Sequence, residues 1–197
     1  MIAWSALYEQ HRDIRRVSMD LATSIRQRLV ALAERKHCAK TIQGRFTWRD
    51  RGGLREWFIQ REPSDEREPL LGLPSLQDAH LTVLALLSRK DDHVHQFTAM
   101  IEGKTPSGLP WAAAVHLEGD QVPAERDRKG GGACGHAAFH CHVGPTLDHE
   151  PKVRVPLPTV APADALDWLL SIVIPAWEPA PWADVLARLR TAKDGHP

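Results

Sequence analysis

The sequence predicts an α+β fold, a mainly antiparallel sheet backed by a long N-terminal helix and by C-terminal helices. Three patterns carry this expectation. An apolar stripe at three- and four-residue steps runs through residues 5–37. Two-residue alternation with turn signals recurs through 41–61 and 93–157. Helical spacing returns in two segments within 163–192. The 197 residues fit a single domain, 1–197, able to bury a sizeable core.

In the N-terminal stripe Ile14, Val17, Leu21, Ile25, Leu29 and Leu32 recur on one side. Arg12, Arg15, Arg16, Arg26, Arg28 and Arg35 lie largely off it. A helix of roughly 30 residues is about 45 Å long. It is expected to cross the back of a sheet, or to lend part of its length to a partner or a second copy.

Residues 41–61 read as a hairpin. Phe46 and Trp48 precede Asp50-Arg51-Gly52-Gly53, and Trp57, Phe58 and Ile59 follow it. Arg45, Arg49, Arg51 and Arg55 are interleaved with these aromatics, the pairing of cations and flat rings that single-stranded nucleic acid binding uses. A strand with one buried and one solvated face produces the same pattern. Residues 62–74, with three prolines and a charge run, read as an exposed linker.

Residues 75–90 read as a helix capped by Ser75, with Leu76, Ala79, Val83 or Leu84, and Leu87 inward. His80 on it reads as structural. Residues 93–118 read as a hairpin with a type I turn at Thr105-Pro106-Ser107-Gly108. If Thr105 opposes Gly108, paired residue numbers total 213. His93 and His95 then share a face with His116 and Glu118, while Trp111, Val115 and Leu117 join Val94 and Met100. A slip of one residue destroys that arrangement.

Gln121 to Gly132 is a charged loop that leads into the densest stretch of the chain, Gly130 to Pro145, with two of the three cysteines and three histidines. From 136 to 143 the residues alternate. His136, Ala138, His140 and His142 take one face, and Ala137, Phe139, Cys141 and Val143 take the other, apolar one. An edge strand with Val153, Val155 and Leu157 inward is expected next, then a helix over 163–174. The Trp–Pro segment 175–182 and a short helix over 183–192 close the chain.

The candidate chemistry lies in the histidines, seven of eleven falling between His93 and His149. His116, His136, His140 and His142 are the candidate metal ligands, with zinc as the candidate ion, because zinc takes about four N, S or O donors in a tetrahedron. His140-x-His142 supplies two imidazoles from one strand face. No Cys-x-x-Cys or His-Glu-x-x-His spacing accompanies them. Cys141 points away from its histidine neighbours and reads as core rather than nucleophile. The glycine loop lacks the Lys-Ser/Thr ending of a phosphate-binding P-loop.

Net charge is zero but uneven: thirteen Lys/Arg against seven Asp/Glu in residues 1–62, twelve against eighteen afterwards. Seven tryptophans and the basic N-terminal part suggest Trp/Pro-rich and basic surfaces for a protein partner. Nucleic acid is the second partner class, through Arg45, Arg49, Arg51 and Arg55. Three cysteines make no disulfide framework, and neither a signal peptide nor a membrane span is read, so a cytoplasmic protein is expected. The preferred reading is an accessory or binding protein of a larger assembly with a histidine-rich, zinc-binding sheet face. The alternative is a small histidine-dependent RNA-processing or nucleic-acid-binding enzyme.

Overall fold

An apolar run that fits two periodicities makes the middle of the molecule. Along Gln77–Ser88, Ala79, Leu81, Val83, Ala85 and Leu87 are buried, while His80, Thr82, Leu84 and Leu86 are half-buried. The stretch is therefore a strand hydrogen-bonded on both sides, not the helix expected over 75–90. Its apolar residues satisfy helical steps as well as alternation, and the presence of two strand partners decides between them.

The computed structural model describes residues 21–59, 67–90, 94–117, 139–145, 154–156 and 161–177. In chain order the elements are α1 (Leu21–Glu34), α2 (Ile42–Arg45), β1 (Thr47–Arg51), β2 (Leu54–Ile59), β3 (Glu68–Leu70), β4 (Gln77–Ser88), β5 (Val94–Lys104), β6 (Pro110–Leu117), β7 (Phe139–Gly144), β8 (Arg154–Pro156) and α3 (Pro162–Val173). The eight strands form one antiparallel sheet in the order β1-β2-β4-β5-β6-β7-β8, with β3 also pairing along β4.

The expected fold is thus corrected. Among the described residues the sheet dominates, and it is not backed by a long N-terminal helix and a set of C-terminal helices. Two helices, of 14 and 12 residues, accompany the sheet, with one further helical turn at α2. Residues 5–20 of the expected N-terminal helix and the expected helix over 183–192 lie outside the described residues. The linker assigned to 62–74 contains β3, whose Glu68 is buried.

Helix α1 buries Leu21, Ile25, Leu29 and Leu32, and α3 buries Leu166, Leu169, Leu170 and Val173. Both pack with one sheet face, where Ile59, Val83, Phe97, Ala99, Ile101, Val115 and Cys141 complete the core. Helix α1 ends because Lys36 turns left-handed, φ 63°. Its N–H donates to Ala33 O at 3.0 Å, and the His37 N–H donates to Leu32 O at 2.9 Å, a double closure that satisfies the last carbonyls.

Two turns set the register. Gly52 and Gly53, both at positive φ (55° and 88°), join β1 to β2, a geometry that matches strand twist and strains any side chain. At the β5–β6 tip the Gly108 N–H donates to Thr105 O at 2.8 Å, as a type I turn requires. The closing pair, however, is Thr105 with Leu109: Gly108 takes φ 83°, and the Thr105 N–H donates to Leu109 O at 2.8 Å. A type I turn splays strands unless such a left-handed residue follows it. The register is therefore Lys104 opposite Pro110 and Thr98 opposite His116, one residue away from the expected pairing. His116 shares its face with Thr98 and Met100, and Phe97 and Ile101 go to the core with Val115 and Leu117.

A bulge in β4 puts Asp78 (φ 48°) and Ala79 opposite Gly103. A Cβ on Gly103 would lie 3.0 Å from Gln77 O and 3.1 Å from Ala79 Cα, both backbone atoms. Gly103→Ala is expected to lower stability by about 1–3 kcal/mol in urea denaturation, the range for overpacking a site that cannot relax. A loss below about 0.5 kcal/mol would mean that the bulge moves freely.

No helix among the described residues is long and apolar enough to cross a membrane.

Candidate histidine face

The sheet face away from α1 and α3 carries Thr98 from β5, Ala112, Ala114 and His116 from β6, and His140 and His142 from β7. Alternation puts His140 and His142 on one side of β7, and Cys141 between them on the other, 1% exposed and in the core. The β6–β7 register sets His116 directly opposite His140, and Ala114 opposite His142. The small neighbours Ala112 and Ala114 leave room for the rings above them.

Three imidazoles meet there. Ring centroids lie 5.5 Å apart for His116 and His140, 5.0 Å for His116 and His142, and 4.8 Å for His140 and His142. The first pair is stacked at 30°, and the other two meet edge to face. His140 is 4% and His142 8% exposed. The Nδ1 of His116 lies 3.2 Å from the Thr98 hydroxyl. If Nδ1 donates that bond, the ring's lone pair sits on Nε2.

Of the four expected ligands, the structure brings together His116, His140 and His142. His136 lies outside the described residues, as do His93, Glu118 and Cys134. Imidazoles that share a tetrahedral ion through N–metal bonds of 2.0–2.1 Å have ring centres about 5 Å apart. The observed spacings match, but the stacked orientation of His116 and His140 does not aim their nitrogens at one point. Among the described residues no group of three or more histidine, cysteine, aspartate or glutamate side chains is arranged to hold a metal ion. His95 sits at a β5 bulge, away from the cluster in sequence register. Thr98 is the member that sequence reasoning missed, because the expected register put it on the opposite face from His116.

Three of the four arginines expected to face phosphate are held by carboxylates. Arg45 pairs with buried Glu68 at 2.6 Å, and Arg49 and Arg51 pair with buried Glu56 at 2.7 and 3.4 Å. Arg55 lies over the Trp48 ring, 4.8 Å from its centroid. Trp177, from the Trp–Pro segment, is 6% exposed and packs in the core instead of forming an open surface. Val155, expected inward, is 44% exposed at the sheet edge.

Neither described cysteine is set up as a nucleophile. Burial, with Glu68 adding to it, pushes the Cys38 thiol up to about 12, and burial pushes Cys141 up as well. A thiol so shifted stays protonated at neutral pH. No protein-family model matches the chain, and neither the curated proteins nor the solved structures contain a match to it.

Proposed function

We propose that the chain is a binding protein, an accessory subunit of a larger assembly, whose histidine face takes a transition metal ion, zinc first. The observation that supports it is the convergence of three imidazoles from two adjacent strands, their centroids within 5.5 Å and two of the rings nearly buried. The Thr98 hydroxyl beside His116 Nδ1 resembles the outer hydrogen bond that fixes the ring of a metal-binding histidine. Zinc binding on this reading requires rotation of the stacked His116–His140 pair. The described cysteines are free thiols, which supports a reducing compartment such as the cytoplasm.

Histidine-dependent RNA chemistry is the weaker reading. Arg45, Arg49 and Arg51 are already engaged by the buried carboxylates of Glu68 and Glu56. Five inter-strand steps also separate β1 from β7, about 24 Å, too far for a phosphate held at β1 to reach His140.

Elemental mass spectrometry tests the proposal. Untagged, chelator-washed protein dialysed against zinc is expected to retain about one ion per chain. Zinc at a hundredfold its Kd is expected to raise unfolding free energy by about 2.7 kcal/mol. His140→Ala with His142→Ala should remove both effects and keep the far-ultraviolet circular dichroism of the sheet. Wild-type protein that retains no zinc, or a double variant that retains as much as wild type, overturns the reading.

A further inference from the structure

The arginines of the basic N-terminal part divide into two classes. Arg45, Arg49 and Arg51 are held by buried carboxylates. Arg26 and Arg55 have no ion pair among the described residues and lie over indoles instead. We infer that the helix-side surface of the β1–β2 hairpin binds single-stranded nucleic acid, with Trp48 as the base-stacking platform and Arg55 and Arg26 as the cations for its phosphates.

The β1–β2 register builds this surface. Trp48 is directly opposite Trp57, and Asp50 is opposite Arg55, so these four share the face on which α1 lies. Trp57 is anchored: it is 9% exposed, stacked on Phe46 at 5.2 Å and covered by the Arg26 guanidinium at 4.9 Å. Trp48 leans on it at 6.3 Å and 45°, yet keeps 48% of its surface open. The result is a fixed aromatic shelf with one ring presented to solvent and a cation beside each ring. The Arg55 Nε is buried with no hydrogen-bond partner among the described residues, which leaves the two terminal amino groups as the donors to meet a phosphate. The one carboxylate of β1 on this face, Asp50, is held by Arg89 at 3.4 Å, so among the described residues it does not offset Arg55 and Arg26.

Nucleic acid fits this surface better than a protein partner does. A protein hot spot needs a surround that excludes water. All five residues of β1 are exposed, and the neighbours that share the Trp48 face, Asp50 and Arg55, are polar. A wet rim suits stacking of one base at a time with phosphates on flanking cations, which is how single strands are held without sequence preference. The site is independent of the histidine face, which lies on the opposite side of the sheet.

The test is fluorescence anisotropy of a labelled oligouridylate of about 12 nucleotides, long enough for one such groove. Wild-type protein should bind at about 50 mM salt and weaken as salt rises. Trp48→Ala should weaken binding by about 5- to 150-fold, the range for losing one base stack, and Trp48→Phe should restore most of it. Arg55→Ala should weaken binding and lower the log–log salt slope by about 0.7. Trp168→Ala, which removes an indole 36% exposed on α3, should bind like wild type. Absence of salt-dependent binding at about 100 µM protein, the weak end of non-specific association, overturns the inference. So does unchanged binding by both Trp48→Ala and Arg55→Ala.

Discussion

Asp167→Ala is expected to lower stability by about 3–5 kcal/mol, measured by urea denaturation at pH 7. Asp167 is 1% exposed between α1 and α3 and accepts two hydrogen bonds beside a close ion-pair contact. Arg28 Nε donates at 2.9 Å, Arg28 Nη2 lies at 2.8 Å from the same oxygen, and Trp177 Nε1 donates at 3.1 Å to the other. Arg28 itself is 5% exposed. Removing the carboxylate leaves a buried guanidinium with Ser24 O at 3.1 Å and the half-exposed Asp164 at 3.3 Å. It also leaves an indole N–H unsatisfied in the core. The pair itself adds little net stability, because burying two charges costs nearly what their attraction returns. Arg28→Met with Asp167→Leu should therefore be neutral or stabilising, while either change alone is costly. A loss below about 1 kcal/mol for Asp167→Ala would show that Arg28 reaches water without it.

The same carboxylate gives a signed pH dependence. Burial raises the Asp167 carboxyl above its ordinary range, against the opposing pull of Arg28 and the Trp177 N–H, and burial raises Asp164 in the same direction. A carboxyl raised on folding binds its proton more tightly in the folded state. Its contribution is fully present below the unfolded value, about 3.9, and is lost as pH rises through the folded value. The stability of wild type relative to Asp167→Asn should therefore shift toward wild type as pH falls from 7 to 4. The opposite slope would mean that Arg28 outweighs burial.

Local alternation was legible in the sequence where one face is clearly apolar. His140 and His142 separate from Cys141 by parity alone, and the structure keeps that separation. Chain-wide choices were not. Leu76, Ala79, Val83 and Leu87 satisfy a helical step, and the strand partners β2 and β5 that override it lie far away in sequence. Asp167 carries no local signal: it is one charge among Leu166, Leu169 and Leu170, and its partner Arg28 is 139 residues distant. Arg28 itself was expected off the apolar stripe of α1. The meeting of Thr98 with His116 depends on a turn whose type was legible and whose closing pair was not, since Leu109 rather than Gly108 closes it.

Phe97→Ala and Met100→Ala separate the two registers by experiment. If paired numbers totalled 213, the core face of β5 would hold Met100, and Phe97 would stand on the histidine face. In the structure Phe97 is 0% exposed, paired with Ala85 on one side and Leu117 on the other, and Met100 is half-buried beside Ala114. The bulge at the start of β5 makes this possible. Leu86 is opposite Gln96 and Leu87 is opposite Val94, so one residue is skipped, and Val94 and Phe97 both reach the core. Phe97→Ala is expected to cost about 3–5 kcal/mol, as deletion of a fully buried ring does where the surround cannot close. Met100→Ala should cost about 1 kcal/mol, the centre of the distribution for partly buried positions. Reversed magnitudes would place His116 across from different neighbours and remove Thr98 from its ring. The zinc reading would then lose the Thr98 hydroxyl that orients His116, and would rest on the β6–β7 pairing alone, which sets His116 opposite His140.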